Sequence, residues 1–443
     1  MANICVAGLW HQGSVLSGCF ADMGHQVCGV DENGSVVSSL NRGIPFVYEP
    51  GLGEILRRNL DASRLRFATN YAEGLANAQF AYISIDTPVN AEDESDLEPI
   101  FDAVRKIGKS CSGELVVIIT AQVPVGTCEE VEKTLKQANP RADFHVAYVP
   151  EFLRLGIAVE SFRLMDRIVI GARDSKVFER IANLYEPLQR PIVKTDLRTA
   201  EMAKHASNVF LATSISFINE IASLCEESGA DVLQVSEILK LDRRIGKYAF
   251  LSPGLGFAGG TLGREIRALQ KIAKQSALET PMMDAVMAVN RSRVYLVEKR
   301  LKRIYGSLKG LQIGIWGLTY KAGTSTTRRS VALEIIRSLI DQGAAVKAFD
   351  PLVRVEEIPK FPSFDLVSEP RTVALNSDAL VLMTEWNEIR GLDFSSLPSI
   401  MRKPVFIDTR NLFDPDEMAK VGFMYFGIGR TNAVPVEDAL TGS

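Results

Sequence analysis

The sequence predicts an α/β protein in which two doubly wound parallel sheets are joined by a middle region built on a long helix. Three observations carry this. Short β-branched runs alternate with helix-length amphipathic segments from the N-terminus to Gly171, the signature of βαβ units around a parallel sheet. From Arg198 to Ser228 no Gly or Pro interrupts a stretch rich in small and apolar residues. Near Leu311 a second alternating unit begins.

The elements follow in order. NICVAG at 3–8 reads as a short buried strand, 13–24 as a helix and QVCGVD at 26–31 as the next strand. Further strands are expected at 81–86 (AYISID), 115–120 (LVVIIT) and 167–171 (RIVIG). The 198–228 helix is more apolar than one buried face requires. It packs either inside its own domain or against a second copy, and both readings stand. In the last region LQIGIWGL is a strand entering a glycine turn, SVALEIIRSLIDQ a helix, and AAVKAFDP a strand that ends at Asp350-Pro351. Strands are also expected at 379–384 and 404–408, and 432–443 reads as a frayed tail. The domain division is therefore 1–197, 198–300 and 301–443.

Composition narrows the classes. A chain of 443 residues has room for about three domains. Its 46% hydrophobic and 23% charged content is that of an ordinary soluble protein. No stretch reaches the roughly 18 uncharged apolar residues of a membrane span. MANICVAGLW has no basic leader and runs straight into a strand, so no signal peptide is expected. Six scattered Cys without a CxxC fit a reducing cytoplasm. Four His without clustered Cys speak against a metal site. A net charge of −4 with no basic block speaks against nucleic acid. Any phosphate-bearing ligand must then be gripped by local dipoles and individual cations.

One such place is Gly8-Leu-Trp10-His-Gln-Gly13, between the first strand and helix. A helix N-terminus there offers free N–H groups to a pyrophosphate. Asp31, 23 residues after Gly8, ends the second strand; a carboxylate there accepts from both ribose hydroxyls and repels a 2′-phosphate, favouring NAD over NADP. Trp10 stands where the middle glycine of such turns permits close approach to the pyrophosphate. Taken alone, the turn is either a cofactor cradle of a Rossmann-like domain or a purely structural bend.

A series of landmarks then recurs in order: Tyr48-Glu-Pro-Gly-Leu52, Thr87-Pro88, Asp96-Leu97, Val123–Thr127, Pro150-Glu151-Phe152-Leu153, Asp166-Arg167, the helix residues Glu201, Lys204, Asn208 and Phe210, Phe217–Glu220, Arg244-Ile-Gly246, GLGFAGGTLGRE at 254–265, Lys321, Thr324, Arg328 and Ser330, Asp350-Pro351, Glu385-Trp386, and Asp408-x-Arg410. No one of these is specific, but their joint order and spacing resemble the UDP-glucose/GDP-mannose dehydrogenase family over nearly the whole chain. The resemblance implies an N-terminal NAD-binding Rossmann domain, a helical middle that forms a homodimer, and a C-terminal Rossmann-like domain that holds a nucleotide-sugar, UDP-hexose being favoured. It also implies oxidation of the sugar's C6 alcohol to a carboxylate in two steps, through a covalent adduct on a cysteine.

Residue by residue, the resemblance makes Lys204 and Asn208 the pair that stabilises alkoxide charge and Glu151 the glutamate that handles water. Thr261 falls on the nucleophile, and Glu265 on the acidic residue beside it. Thr87 and Gln122 join Gly8, Trp10, Gly13 and Asp31 as cofactor contacts. Phe152, Leu153, Arg244 (reaching from a neighbouring subunit), Tyr248, Phe250, Ser252, Gly256, Phe257, Gly260, Lys321, Arg328 and Arg410 fall on the nucleotide-sugar contacts. The departures cluster. The family's GFGGSC ends in Cys where this chain has Thr261, Gln122 replaces a water-positioning Thr, and Leu155 replaces a second Glu. A thiol of pKa near 8.5 supplies thiolate at neutral pH and an alcohol does not. The expectation is an NAD-dependent nucleotide-sugar dehydrogenase limited to one two-electron alcohol/carbonyl step. The alternatives are the four-electron UDP-sugar 6-dehydrogenase, a redox-neutral epimerase and a non-catalytic binding homologue.

Overall fold

The computed structural model describes residues 1–88, 95–258, 261–327, 330–353, 355–358 and 364–432. All of the expected tail but Asn432 therefore lies outside the described residues. The chain divides into two compact units, Met1–Ser207 and Asn208–Ser443, and the division falls inside one continuous helix, Leu197–Ser228.

The first unit is built on eight strands: β1 Asn3–Ala7, β2 Gln26–Val30, β3 Leu65–Ala68, β4 Phe80–Ile83, β5 Glu114–Ile119, β6 Asp143–Tyr148, β7 Ile168–Ala172 and β8 Ile192–Thr195. Their order is β3-β2-β1-β4-β5-β6-β7-β8, with a reversal between β1 and β4 where open α/β sheets bind ligands. The strands bury both faces. Ile4 and Val6 enter one apolar cluster with Phe20, Tyr82 and Phe162, whereas Cys5 and Ala7 enter the other with Ile107 and Val131. That period of two on a sheet covered on both sides explains the near-continuous apolar strands. Each fully buried Ile, Val or Phe contributes about 1.5–3 kcal/mol.

Two details depart from the expected pattern. The 81–86 segment is extended only to Ile83, because Ser84 already turns its hydroxyl back onto the Ala7 and Gly8 carbonyls. The sheet is also not parallel throughout: β7 runs antiparallel to β6, pairing Ala147 with Ala172, and β8 follows β7 in parallel. Six parallel strands are thus extended by a reversed pair. Gly171 on β7 has a consequence here, since a methyl group on it would lie 2.6 Å from Ala200 Cβ and 2.9 Å from the Asp196 carbonyl oxygen. The first turn of the long helix crosses β7 at a distance only glycine permits.

The second unit repeats the plan with six strands, β9 Gln312–Trp316, β10 Ala345–Phe349, β11 Asp365–Leu366, β12 Ala379–Leu382, β13 Val405–Asp408 and β14 Met424–Phe426. Their order, β11-β10-β9-β12-β13-β14, is the same winding as β3-β2-β1-β4-β5-β6, and all its pairings are parallel. Helices Val232–Leu241, Leu262–Gln275 and Pro281–Ser292 precede this sheet.

The Leu197–Ser228 helix is long and apolar enough, by length and composition, to cross a membrane. Its buried residues nevertheless include Glu201, Lys204, His205, Asn208 and Asn219. Glu201 accepts the Gly126 and Cys128 N–H groups at 2.5 and 2.9 Å, capping the helix Thr127–Ala138 at its positive end. His205 is 2.9 Å from the Val123 carbonyl oxygen. Polar side chains that anchor neighbouring elements in this way belong to a core helix.

Candidate functional site

The cofactor cradle begins where β1 runs out. Gly8 has φ +88°, and a methyl group there would lie 2.7–2.9 Å from Ile85. Its N–H reaches the Val30 carbonyl at 2.9 Å, which ties the turn to β2. Gly13, inside the helix Gln12–Asp22, is tighter still: a methyl group would sit 1.7 Å from the Gly8 carbonyl oxygen and 2.5 Å from Ser84 Oγ. These two glycines satisfy the close-packing needs of a pyrophosphate turn. Asp31 is half-buried at the end of β2; one carboxyl oxygen accepts the Leu9 N–H at 3.0 Å and the other the Asn33 N–H at 3.0 Å. Trp10 is half-buried and meets the His11 ring edge-on at 6.2 Å between centroids.

Gln122 and Thr87 lie together beyond β4 and β5. The Thr87 hydroxyl is 3.5 Å from the Gln122 carbonyl oxygen, and Gln122 Nε2 is buried without a hydrogen-bond partner among the described residues. An unmade buried donor costs about 1–3 kcal/mol, so its presence just past β5, the strand next to β4, marks a place for a ligand acceptor. The glycine cradle, Asp31 and this amide fit NAD.

Lys204 is not a solvated helix lysine. It is buried and donates to the main-chain oxygen of Glu151. Its Nζ lies 3.5 Å from Glu151 Oε1 and 4.9 Å from the centre of the Phe152 ring. Arg167 covers the same ring at 4.5 Å and reaches Ser207 at 3.4 Å. The other Glu151 oxygen accepts the Leu153 N–H at 2.6 Å, fixing the loop after β6. The sequence-expected Glu151, Phe152, Leu153 and Lys204 are therefore one constellation. Arg167 and Ser207 are additions to it that spacing could not reveal.

Asn208 sits one turn after Lys204 on the same helix, so the two share a face. Its side-chain nitrogen is buried without a partner among the described residues, a second unspent donor.

Residues 254–257 are held from beneath. Gly254 donates to Asn219 Oδ1 at 2.8 Å, and its carbonyl accepts from Arg293 at 3.1 Å. Asn290 grips Phe257 through both main-chain groups, at 2.7 and 3.0 Å. Gly256 has φ +85° with Asn290 Oδ1 2.3 Å from where a methyl group would be, so only glycine fits. Phe257 is buried with Ala212, Ile215 and Ile266. Asn219, Asn290 and Arg293 carried no assigned role at the level of sequence; their partners lie 33–39 residues away in the chain. Thr261 is exposed and is the N-cap residue of Leu262–Gln275, with no capping bond from its side chain. Glu265, one turn on, is buried. Gly260 lies outside the described residues, as does Arg328.

Of the remaining expected contacts, Tyr248, Phe250 and Ser252 are exposed, and Arg244 is exposed with its guanidinium on Asp242 at 2.6 Å. Lys321 is half-buried. Arg410 donates to the Met383 carbonyl at 2.7 Å and forms an ion pair with Glu385 at 3.0 Å, and its Nη1 is 3.7 Å from the Cβ position of Gly254. The second sheet thus presents one arginine to the loop. Its own glycine turn is closed. Gly317 has φ +95°, and Asp350 takes the Leu318 and Thr319 N–H groups, the Thr319 hydroxyl and the Trp386 indole N–H on one oxygen at 2.8–3.0 Å.

Residues 2–189 match the NAD binding domain of the UDP-glucose/GDP-mannose dehydrogenase family, 198–292 its central domain and 314–415 its UDP binding domain. The chain is 38% identical over 435 residues to a UDP-glucose 6-dehydrogenase of Rhizobium meliloti, covering 97% of this chain and 99% of the relative. It is 37% identical to one of Pseudomonas aeruginosa, covering 97% and 98%. The structure of a UDP-glucose dehydrogenase from Pyrobaculum islandicum superposes with a TM-score of 0.90 at 33% identity, covering 97% of this chain and 98% of that one. With its glycine cradle fitted to NAD and its three segments matched in order, the chain belongs to the UDP-glucose/GDP-mannose dehydrogenase family of NAD-dependent oxidoreductases.

Proposed function

We propose that the chain oxidises a nucleotide-sugar alcohol to a carbonyl, or runs the reverse, in a single two-electron step. The observation that carries this is Thr261 on the N-cap of Leu262–Gln275, where the family's pattern has a cysteine. A thiol at a helix N-terminus is acidified into a nucleophile; a threonine hydroxyl needs a dedicated base, and Glu265 is the nearest carboxyl on that helix. NAD supplies the hydride acceptor. Lys204 Nζ and Asn208 Nδ2 donate to the alcohol oxygen as its proton leaves for solvent, and so stabilise the developing alkoxide. Glu151 fixes the ammonium, and Phe152 and Arg167 wall it from water. One alcohol and one NAD give one carbonyl, one NADH and one proton. Arg410, Lys321, Arg328 and the 248–257 segment hold the nucleotide-sugar, UDP-hexose being favoured by the names of the relatives.

The relatives' names also favour a second reading, the four-electron route to the uronate. The NADH formed per sugar decides between them: a ratio of one with a carbonyl product supports the single step, and two with an acid product overturns it. Thr261→Cys is expected to yield little acid, because Gln122 and Leu155 are changed as well.

The reading includes three domains (1–197, 198–300, 301–443) and a cytoplasmic homodimer that binds neither nucleic acid nor membrane. Support for the dimer comes from Phe210, Phe217 and Leu224, which lie seven residues apart on one helix and are 72%, 45% and 61% exposed, an apolar stripe of coiled-coil spacing. Arg244 would then reach the partner's nucleotide-sugar.

A further inference from the structure

The segment Tyr48–Leu52 takes no part in the chemistry above, yet its Glu49 is 2% exposed. A buried carboxyl is costly unless donors meet it, and three do. One oxygen lies 2.7 Å from His11 Nε2 and accepts the Gly156 N–H at 2.8 Å; the other accepts the Ala158 N–H at 2.6 Å. Main-chain N–H groups can only donate and a carboxylate can only accept, so the His11 nitrogen facing Glu49 is the donor. Nδ1 remains as the ring's open atom, with no hydrogen bond among the described residues.

The three donors come from two places. His11 is the N-cap residue of Gln12–Asp22 and lies between Trp10 and Gly13 in the cofactor turn. Gly156 and Ala158 are 107 and 109 residues from Glu49 and follow directly on Glu151–Leu153. Gly156 has φ +87°, and Ala158 opens the helix Ala158–Arg163. One carboxyl therefore joins the turn that must grip the pyrophosphate to the loop that positions Lys204. In this chain the turn lacks its middle glycine and needs another means of holding its shape.

We propose that Glu49, acting through His11, is a positioning residue that transmits occupancy of the cofactor turn to the Glu151 loop. This rests on the assignment of NAD to the turn and not on the number of oxidation steps. His11→Phe removes one donor and leaves the Gly156 and Ala158 bonds in place, so the fold is kept. Amide hydrogen exchange of the full chain, with and without saturating NADH, reads the link directly. In the native protein NADH slows exchange over residues 154–159 several-fold. In His11→Phe the slowing disappears while NADH still binds, and kcat falls with little change in KM for the nucleotide-sugar. In Glu49→Gln the same amides exchange fast whether or not NADH is present. A native chain that binds NADH without slowing 154–159, or a His11→Phe variant that keeps the slowing, overturns the coupling and leaves the dehydrogenase reading untouched.

Discussion

The two sheets carry the same device and use it differently. After β1 and after β9 a glycine at positive φ, Gly8 or Gly317, donates to the end of the next strand. The following residue, Leu9 or Leu318, donates to the aspartate just past that strand, Asp31 or Asp350. Asp31 meets two main-chain donors and stays half-exposed. Asp350 is buried and also takes a hydroxyl and an indole. The helix follows Gly8 within four residues in the first sheet, whereas in the second it starts only at Val331. A shared winding thus supplies a turn and an acid; the acceptor capacity that the acid keeps for a ligand decides whether the place is a site or a strut.

Breaking each aspartate in turn tests that distinction. Asp350→Asn takes away acceptors from a buried network and is expected to cost about 3 kcal/mol of stability, read as a lower denaturation midpoint, with NADH binding unchanged. Asp31→Asn is expected to do the opposite: NADH affinity falls about tenfold, or about 1.4 kcal/mol, the preference over NADPH narrows, and the midpoint moves by less than about 1 kcal/mol. Equal losses of stability in the two variants would erase the contrast. The smallest effect concerns Asp408, at the end of β13, whose position in the winding matches the end of β5 in the first sheet. Burial pushes its carboxyl above the ordinary aspartate value of 3.8, although Tyr425 and three main-chain N–H groups pull it back. The native state therefore keeps this proton to higher pH than the unfolded chain. Its contribution to stability is fully present below pH 3.8 and is lost as pH rises through the folded value. The difference in stability between Asp408→Asn and the native chain, followed upward from that pH, should shift in the variant's favour; a flat difference would place the carboxyl among ordinary surface acids.

Much of this was legible in the residues. Strand runs, the uninterrupted helix, the Gly8–Asp31 spacing and the ordered landmarks all depend on local pattern or on a family's shared order, and β1, β2, β5, β9, β10 and the long helix lie within a few residues of where pattern places them. Lys204 and Asn208 could be paired because helical spacing alone puts them on one face. The supports were hidden because they act across long stretches of chain. Nothing around Asn290 announces that it will clamp Phe257, and nothing around Glu49 points to Gly156. The reversal at β7 was equally silent, since antiparallel and parallel strands share the same apolar composition when both faces are covered.

Gly171 sets the aim of the long helix. The bare α-carbon on β7 lets the long helix seat its first turn flush against the strand, and Lys204 projects one turn beyond Ala200 along that rod. A methyl group in place of that hydrogen would lift the near end of the rod and swing its ammonium off the Glu151 loop, without altering any side chain that touches a sugar.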